Sequence, residues 1–145
     1  MPKRYEKVVG FTCGAMDLLH AGHVLMLKEC KKQCDFLIVG LQEDPSGTHA
    51  SYRGKKKQKP VETLKERRIR LEGCKYVDKI LIYKTEKDLY KLLKKVRPDI
   101  RFLGTDWKNR HATGQELAKK IIYNTRDHKY SSTELRKRIE LSPLS

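Results

Sequence analysis

No run of about 18 consecutive apolar residues occurs in the 145-residue sequence, so no membrane-spanning helix is expected. The first residues, MPKRYEK, lack the apolar core of a secretory signal, which points to the cytoplasm. Cys13, Cys30, Cys34 and Cys74 show no CxxC spacing. With no sign of export they read as free thiols rather than a disulfide frame. Cys30 and Cys34 lie one helical turn apart, but zinc would need two further ligands. No internal repeat is visible. Acidic residues are scarce: 18 Asp plus Glu stand against 33 Lys plus Arg, a formal net charge of +15. Such a balance attracts anions, whether nucleic acid, acidic membrane or phosphorylated small molecules, and does not choose among them.

What is present suits one soluble domain with one core, at 38% hydrophobic and 35% charged residues. Lys7 to Thr12 (KVVGFT) reads as a buried strand ending at Cys13-Gly14. An amphipathic helix is expected from His20 to about Gln33, and FLIVGL, Phe36 to Leu41, is the clearest buried strand. Gln42 to Pro60 is polar, with basic residues from Arg53 to Lys59; a loop of that length is usually functional or disordered. A helix from about Val61 to Gly73 leads into a strand from Tyr76 to Tyr83. Thr85 and Asp88 then open a helix that Pro98 ends. Ile100 to Gly104 and Lys120 to Asn124 are strands, and Ser131 with Glu134 has capping-box spacing before a last helix.

Strands alternating with helices imply an α/β, Rossmann-like arrangement with a mostly parallel sheet covered on both faces. Ligands then bind outside the carboxyl ends of the strands. Three segments of unusual chemistry leave such ends: Cys13 to His23, Gly104 to Trp107, and Thr125 to Thr133. They are expected to gather on one edge.

Within the first, His20 and His23 are spaced to share one face of a helix. Gly22 removes a side chain beside them. A first helical turn exposes unpaired N–H groups and a positive dipole end, which favours phosphate. A lone histidine here would read as an ordinary core or surface residue; the HxGH pair directly after strand-GxxD reads as a site. No third His, Asp or Glu stands at ligand spacing, so a metal centre is not expected.

Gly14-Ala15-Met16-Asp17-Leu18-Leu19-His20-Ala21-Gly22-His23 resembles the signature of the HxGH nucleotidyltransferase superfamily, usually GTFDLLHxGH or GCFDLLHxGH. Tyr130-Ser131-Ser132-Thr133-Glu134-Leu135-Arg136 is similar to that superfamily's ISTTxI or ISSTxLR segment. Lys75-Tyr76-Val77-Asp78-Lys79-Ile80 resembles the RYVDEV segment of cytidylyltransferases, and Gly104-Thr105-Asp106-Trp107 the GDDW of glycerol-3-phosphate cytidylyltransferases. The landmarks run in order over roughly residues 7 to 140.

The resemblance implies a Rossmann-like enzyme that couples CTP to a phosphorylated alcohol, with magnesium as the nucleotide's counter-ion, and a homodimer with the Tyr76-Val77-Asp78 region near its interface. It also implies roles. His20 and His23 would meet the CTP phosphates, Lys56 (or Lys55, Lys57 or Lys59, since the loop alignment slips) would reach both substrates, and Arg67 and Arg126 would bind phosphate. Gly14, Ala15, Met16, Gly22, Asp106, Ser131, Ser132 and Thr133 would line the nucleotide, and Asp17 and Trp107 the acceptor side, Asp17 by orienting the turn. The helical wheel by itself places Arg68 nearer the apolar stripe than Arg67. Ala15 and Met16 replace Thr-Phe or Cys-Phe, Lys75 an Arg, Asp127 a Thr and Lys129 a Gly. A tryptophan expected near Thr85 is absent, since Trp107 is the only one. That absence leaves phosphocholine, phosphoethanolamine or another phosphosugar alcohol open beside glycerol 3-phosphate. The rivals are an adenylyltransferase using ATP and a basic nucleic-acid-binding module that keeps the fold without the reaction.

Overall fold

The computed structural model describes residues 7–47, 51–52, 55–56 and 59–141, and at 47, 51–52 and 55–56 the backbone alone. Five strands form one parallel sheet: β1 (Val9–Gly14), β2 (Phe36–Gln42), β5 (Lys79–Tyr83), β6 (Ile100–Gly104) and β7 (Lys120–Asn124), in the spatial order β5-β2-β1-β6-β7. Two short strands, β3 (Ser51–Tyr52) and β4 (Lys55–Lys56), pair antiparallel apart from it. Helix α1 (Ala21–Lys32) follows β1, α2 (Leu64–Glu72) precedes β5, α3 (Glu86–Val96) connects β5 to β6, and α4 (Ser132–Leu141) ends the described chain.

The core divides at the sheet. On one face Leu37, Val39, Ile100 and Phe102 meet Leu27 and Cys30 of α1 and Leu71 of α2. On the other Phe11, Ile38 and Tyr83 meet Leu89 and Leu93 of α3. Strands buried on both faces explain why FLIVGL is continuously apolar rather than alternating. Each helix start is built from its own sequence. Thr63 accepts from the Glu66 N–H (3.2 Å) and Thr85 from the Asp88 N–H (3.1 Å), each with the acid bonding back.

The expected elements are all there, with shifted edges. The first strand runs two residues later than Lys7–Thr12, because Asp35 and Asp99 take the Val8 and Val9 N–H groups (2.8 Å each) and the ladder starts at Val9. The strand expected from Tyr76 starts at Lys79, because Asp78 turns its carboxylate back onto the Leu37 N–H (2.7 Å) and Lys31 (2.5 Å). Helix α2 starts at Leu64 rather than Val61, where Thr63 caps it. All four cysteines are free thiols, and burial pushes the Cys30 thiol up to about 12, which keeps it inert.

Topology positions the site. The chain builds outward from β1 through β2 to β5, then crosses back to lay β6 on the other side of β1. β1 and β6 pair only at Gly10–Ile100 and Phe11–Arg101, and beyond those residues their carboxyl ends run on unpaired with each other. A crevice therefore opens above Gly14 and Gly104, the switch point where doubly wound sheets bind ligands.

Below it the packing is tight. A Cβ on Gly10 would stand 2.6 Å from Phe102 Cε2 and 2.9 Å from Cys34 Sγ. Gly10→Ala is expected to lower stability by roughly 1–3 kcal/mol through overpacking, read by thermal melting; an unchanged Tm would show that the Phe102 ring has room to move.

Candidate functional site

Between Gly14 and α1 the chain must turn from strand to helix within a few residues. It does so through a 3-10 turn at Asp17–Leu19, with Met16 (φ 51°), Leu18 (φ 63°) and Leu19 (φ 24°) left-handed. For residues with a Cβ this costs roughly 1–2 kcal/mol each, so other groups must hold it. Arg67 of α2 does so from below. Its Nε donates to the Glu62 carbonyl (3.1 Å), Nη1 to those of Ala15 (3.0 Å) and Gln42 (2.6 Å), and Nη2 to that of Glu43. Glu62 accepts from the Leu18 N–H (2.8 Å) and from Arg70 (2.5 Å). Asp17 accepts from the Val61 (2.8 Å) and Glu62 (3.0 Å) N–H groups and from Arg136 of α4 (2.9 Å). Burial alone would raise the Asp17 carboxyl, but these donors outweigh it and hold it below the ordinary carboxylate value.

The turn delivers His20 as the N-cap of α1. The Gly22 N–H donates to His20 Nδ1 (3.0 Å) and the His20 N–H to His23 Nδ1 (3.2 Å). A ring nitrogen that accepts carries no proton, so both imidazoles hold theirs on Nε2. The rings stack, centroids 3.8 Å apart and 23° from parallel. Neither Nε2 has a protein partner among the described residues. Burial lowers His23 to about 4, helped by His20 and Arg126 and opposed by Asp17. Burial, then Arg126 and His128, lower His20. At neutral pH the pair is therefore two neutral N–H donors over the positive end of α1.

The other expected residues fall into distinct places. Gly14 ends β1 with nothing nearer than Met16 Cε, 3.6 Å from where a Cβ would be. Arg126 lies within electrostatic reach of both histidines and donates to the Tyr130 carbonyl (2.6 Å). Ser131 caps α4 through the Glu134 N–H (3.0 Å), with Ser132 and Thr133 in its first turn, and Arg136 draws α4 onto Asp17. Asp106 is exposed and Trp107 half-buried in the 3-10 turn after β6, with Arg110 over the indole at 4.6 Å. Lys56 lies on β4; its side chain, like Lys57, is outside the described residues.

Three expectations change. Arg67 does not stand free for phosphate: it is buried, and four of its five N–H donors serve carbonyl oxygens. Asp17 orients the turn by hydrogen bonding but does not face an acceptor, since it is buried and bonded to two N–H groups and Arg136. The Met16 side chain belongs to the core, and only its backbone faces the turn. The helical wheel misplaced the arginines because Val61 and Ile69 are exposed, 61% and 59%, so the apolar stripe is not the buried face. Arg68 is instead paired with Glu72 at the surface (2.9 Å). Sequence reading gave no role to Glu62, His128 or Arg136, the last of which it placed only within the Tyr130–Arg136 segment; partners this distant in sequence leave no local pattern.

The cytidylyltransferase-like family model matches residues 11–138. Bifunctional protein HldE of Helicobacter hepaticus is 35% identical over 119 residues, covering 82% of this chain and 23% of that protein. The Helicobacter pylori strain P12 protein of the same name is 33% identical over 135 residues, covering 93% and 28%. The chain thus spans about a quarter of the length of the curated relatives it matches. Among solved structures, the lipopolysaccharide core biosynthesis protein from Thermoplasma volcanium GSS1 superposes with a TM-score of 0.57 at 27% identity, over 93% of this chain and 88% of that one. A pantothenate synthetase from Thermus thermophilus, TM-score 0.58 at 14% identity over 98% and 64%, shares the fold alone.

Two outcomes follow from this geometry. Arg67→Met should cost about 3 kcal/mol, a fall of roughly 10 °C in Tm, because buried carbonyls lose their donor; an unchanged Tm with only a raised KM would return Arg67 to phosphate contact. His23 is held near 4 in the fold but titrates at about 6.5 unfolded. Below about pH 6.5 the unfolded chain therefore binds the extra proton. Stability should fall from there to about pH 4, by roughly 2 kcal/mol for this group after allowing for its partial exposure. In His23→Gln the slope of Tm against pH over that window should flatten; a slope equal to wild type would count against the depressed value.

Proposed function

Because the chain belongs to the cytidylyltransferase-like family, we propose that this site transfers a cytidylyl group from CTP to a small phosphorylated alcohol, glycerol 3-phosphate or a phosphosugar. An oxygen of the acceptor's phosphomonoester attacks the α-phosphorus in line, the bond to the bridging oxygen of the β-phosphate breaks, and pyrophosphate leaves. The phosphomonoester is already a nucleophile at neutral pH, so the reaction needs alignment and charge stabilisation more than a base.

The observation that carries this reading is the stacked histidine pair at the head of α1, both Nε2–H groups directed away from their backbone acceptor bonds. Two preorganised N–H donors and a helix N-terminus suit a phosphorus centre whose oxygens gain charge on the way to the transition state. Arg126, within electrostatic reach of both rings, and the start of α4 at Ser131–Thr133 would supply further donors for the triphosphate. Among the described residues no group of three or more His, Cys, Asp or Glu could hold a metal ion. Magnesium in this reading arrives as the counter-ion of the triphosphate, and the protein's own donors address anionic oxygen. The Thermoplasma neighbour is named for lipopolysaccharide core biosynthesis, which keeps a phosphosugar among the acceptors to be tried.

The direct check incubates the protein with CTP or ATP, magnesium and a panel of phosphoalcohols and phosphosugars, following pyrophosphate and the nucleotide-linked product. Release is expected from CTP only with the right acceptor present, and His23→Ala should lower kcat/KM by about 10²–10³ with the fold intact. Release with ATP alone as donor would overturn the choice of CTP, and wild-type rates in His23→Ala would overturn the site.

A further inference from the structure

His128 stands in the connection between β7 and α4, at a position to which the resemblance attaches no role. Its ring lies over the start of α1. A Cβ added to Gly22 would be 2.8 Å from His128 Cε1 and 2.9 Å from His20 Cε1, so the two imidazoles flank the same patch of helix backbone. Gly22 is thus the gap into which His128 fits, and not merely a concession to helix packing. The Tyr130 N–H donates to His128 Nδ1 at 3.2 Å, which leaves the proton on Nε2. Arg126 Nη2 holds the Tyr130 carbonyl at 2.6 Å, and the Tyr130 ring leans on His128, centroids 5.3 Å apart. The connection is therefore folded so that His128 and Arg126 both face α1.

One device recurs three times. His20, His23 and His128 each accept a backbone N–H at Nδ1, at 3.0, 3.2 and 3.2 Å, and each is left with an Nε2–H donor. A wedge that merely covered a glycine would need no such fixed tautomer. We propose that His128 is a third phosphate-contacting imidazole, donating its Nε2–H to the pyrophosphate portion of the bound nucleotide between the first turns of α1 and α4. This rests on the phosphate-site reading above. It adds that the leaving group is gripped from the α4 side by a residue of this chain's own.

The test measures binding of inorganic pyrophosphate to the protein by calorimetry, with Tm as a check on folding. His128→Ala and His128→Phe should each weaken binding about tenfold, the loss of one hydrogen bond to a charged group, with Tm unchanged. His128→Gln, which restores a side-chain N–H, should recover part of it. With nucleotide and acceptor, the Ala variant should show the loss in KM for the nucleotide more than in kcat. Wild-type affinity in His128→Phe would make the residue a packing wedge and overturn the proposal. His23→Ala is the control: if it weakens pyrophosphate binding and His128→Ala does not, His128 alone is misassigned. If neither does, the phosphate site itself falls.

Discussion

Everything at this site depends on one backbone segment held in a conformation it would not choose. Met16, Leu18 and Leu19 lie at positive φ, and a turn with three such residues does not persist through local interactions. What holds it is a lattice of charge-assisted hydrogen bonds from three distant elements: Arg67 under the Ala15 carbonyl, Glu62 at the Leu18 N–H, and Asp17 tied to Val61, Glu62 and Arg136. Each bond is short in space and long in sequence. The arrangement makes the histidine geometry a property of the whole fold, because the position of α1 relative to β1 is set by α2 and α4 together.

The two ends of the sheet are finished differently. At the amino ends Asp35, Asp78 and Asp99 accept the N–H groups of Val8, Leu37 and Val9. The Asp99 carboxyl is held below its ordinary value by Lys119 and the Val9 N–H. At the carboxyl ends stand the His20–His23 pair, Ser131 and Arg126, together with the buried Asp17 and the exposed Asp106.

Much of this was readable beforehand, for identifiable reasons. Ile100–Gly104 and Lys120–Asn124 have the expected bounds because a Pro-Asp pair and a polar turn delimit them. The convergence of three strand ends follows from βα alternation and handedness alone. What sequence pattern misplaced are the residues whose role runs against their type. Arg67 is a charged side chain in a buried position, doing for carbonyl oxygens what a ligand's phosphate would otherwise receive. Val61 and Ile69 are apolar side chains left exposed, so the helical period pointed to the wrong face of α2. His128 had no signal, since its significance comes from Gly22, a hundred residues away along the chain.

The neutral state of the histidines bears on what the site can do. Two imidazolium rings stacked at 3.8 Å beside Arg126 would repel one another, and their Nδ1 atoms could no longer accept the Gly22 and His20 N–H groups that fix them. Protonation would thus release the rings from the helix head. As neutral donors they stay aimed, each ring pinned at Nδ1 and offering its Nε2–H outward. In the proposed transfer their hydrogen bonds to phosphate would strengthen as charge builds on the oxygens, which is the sense in which a donor favours the transition state over the ground state. A pair charged from the outset would hold substrate and product alike.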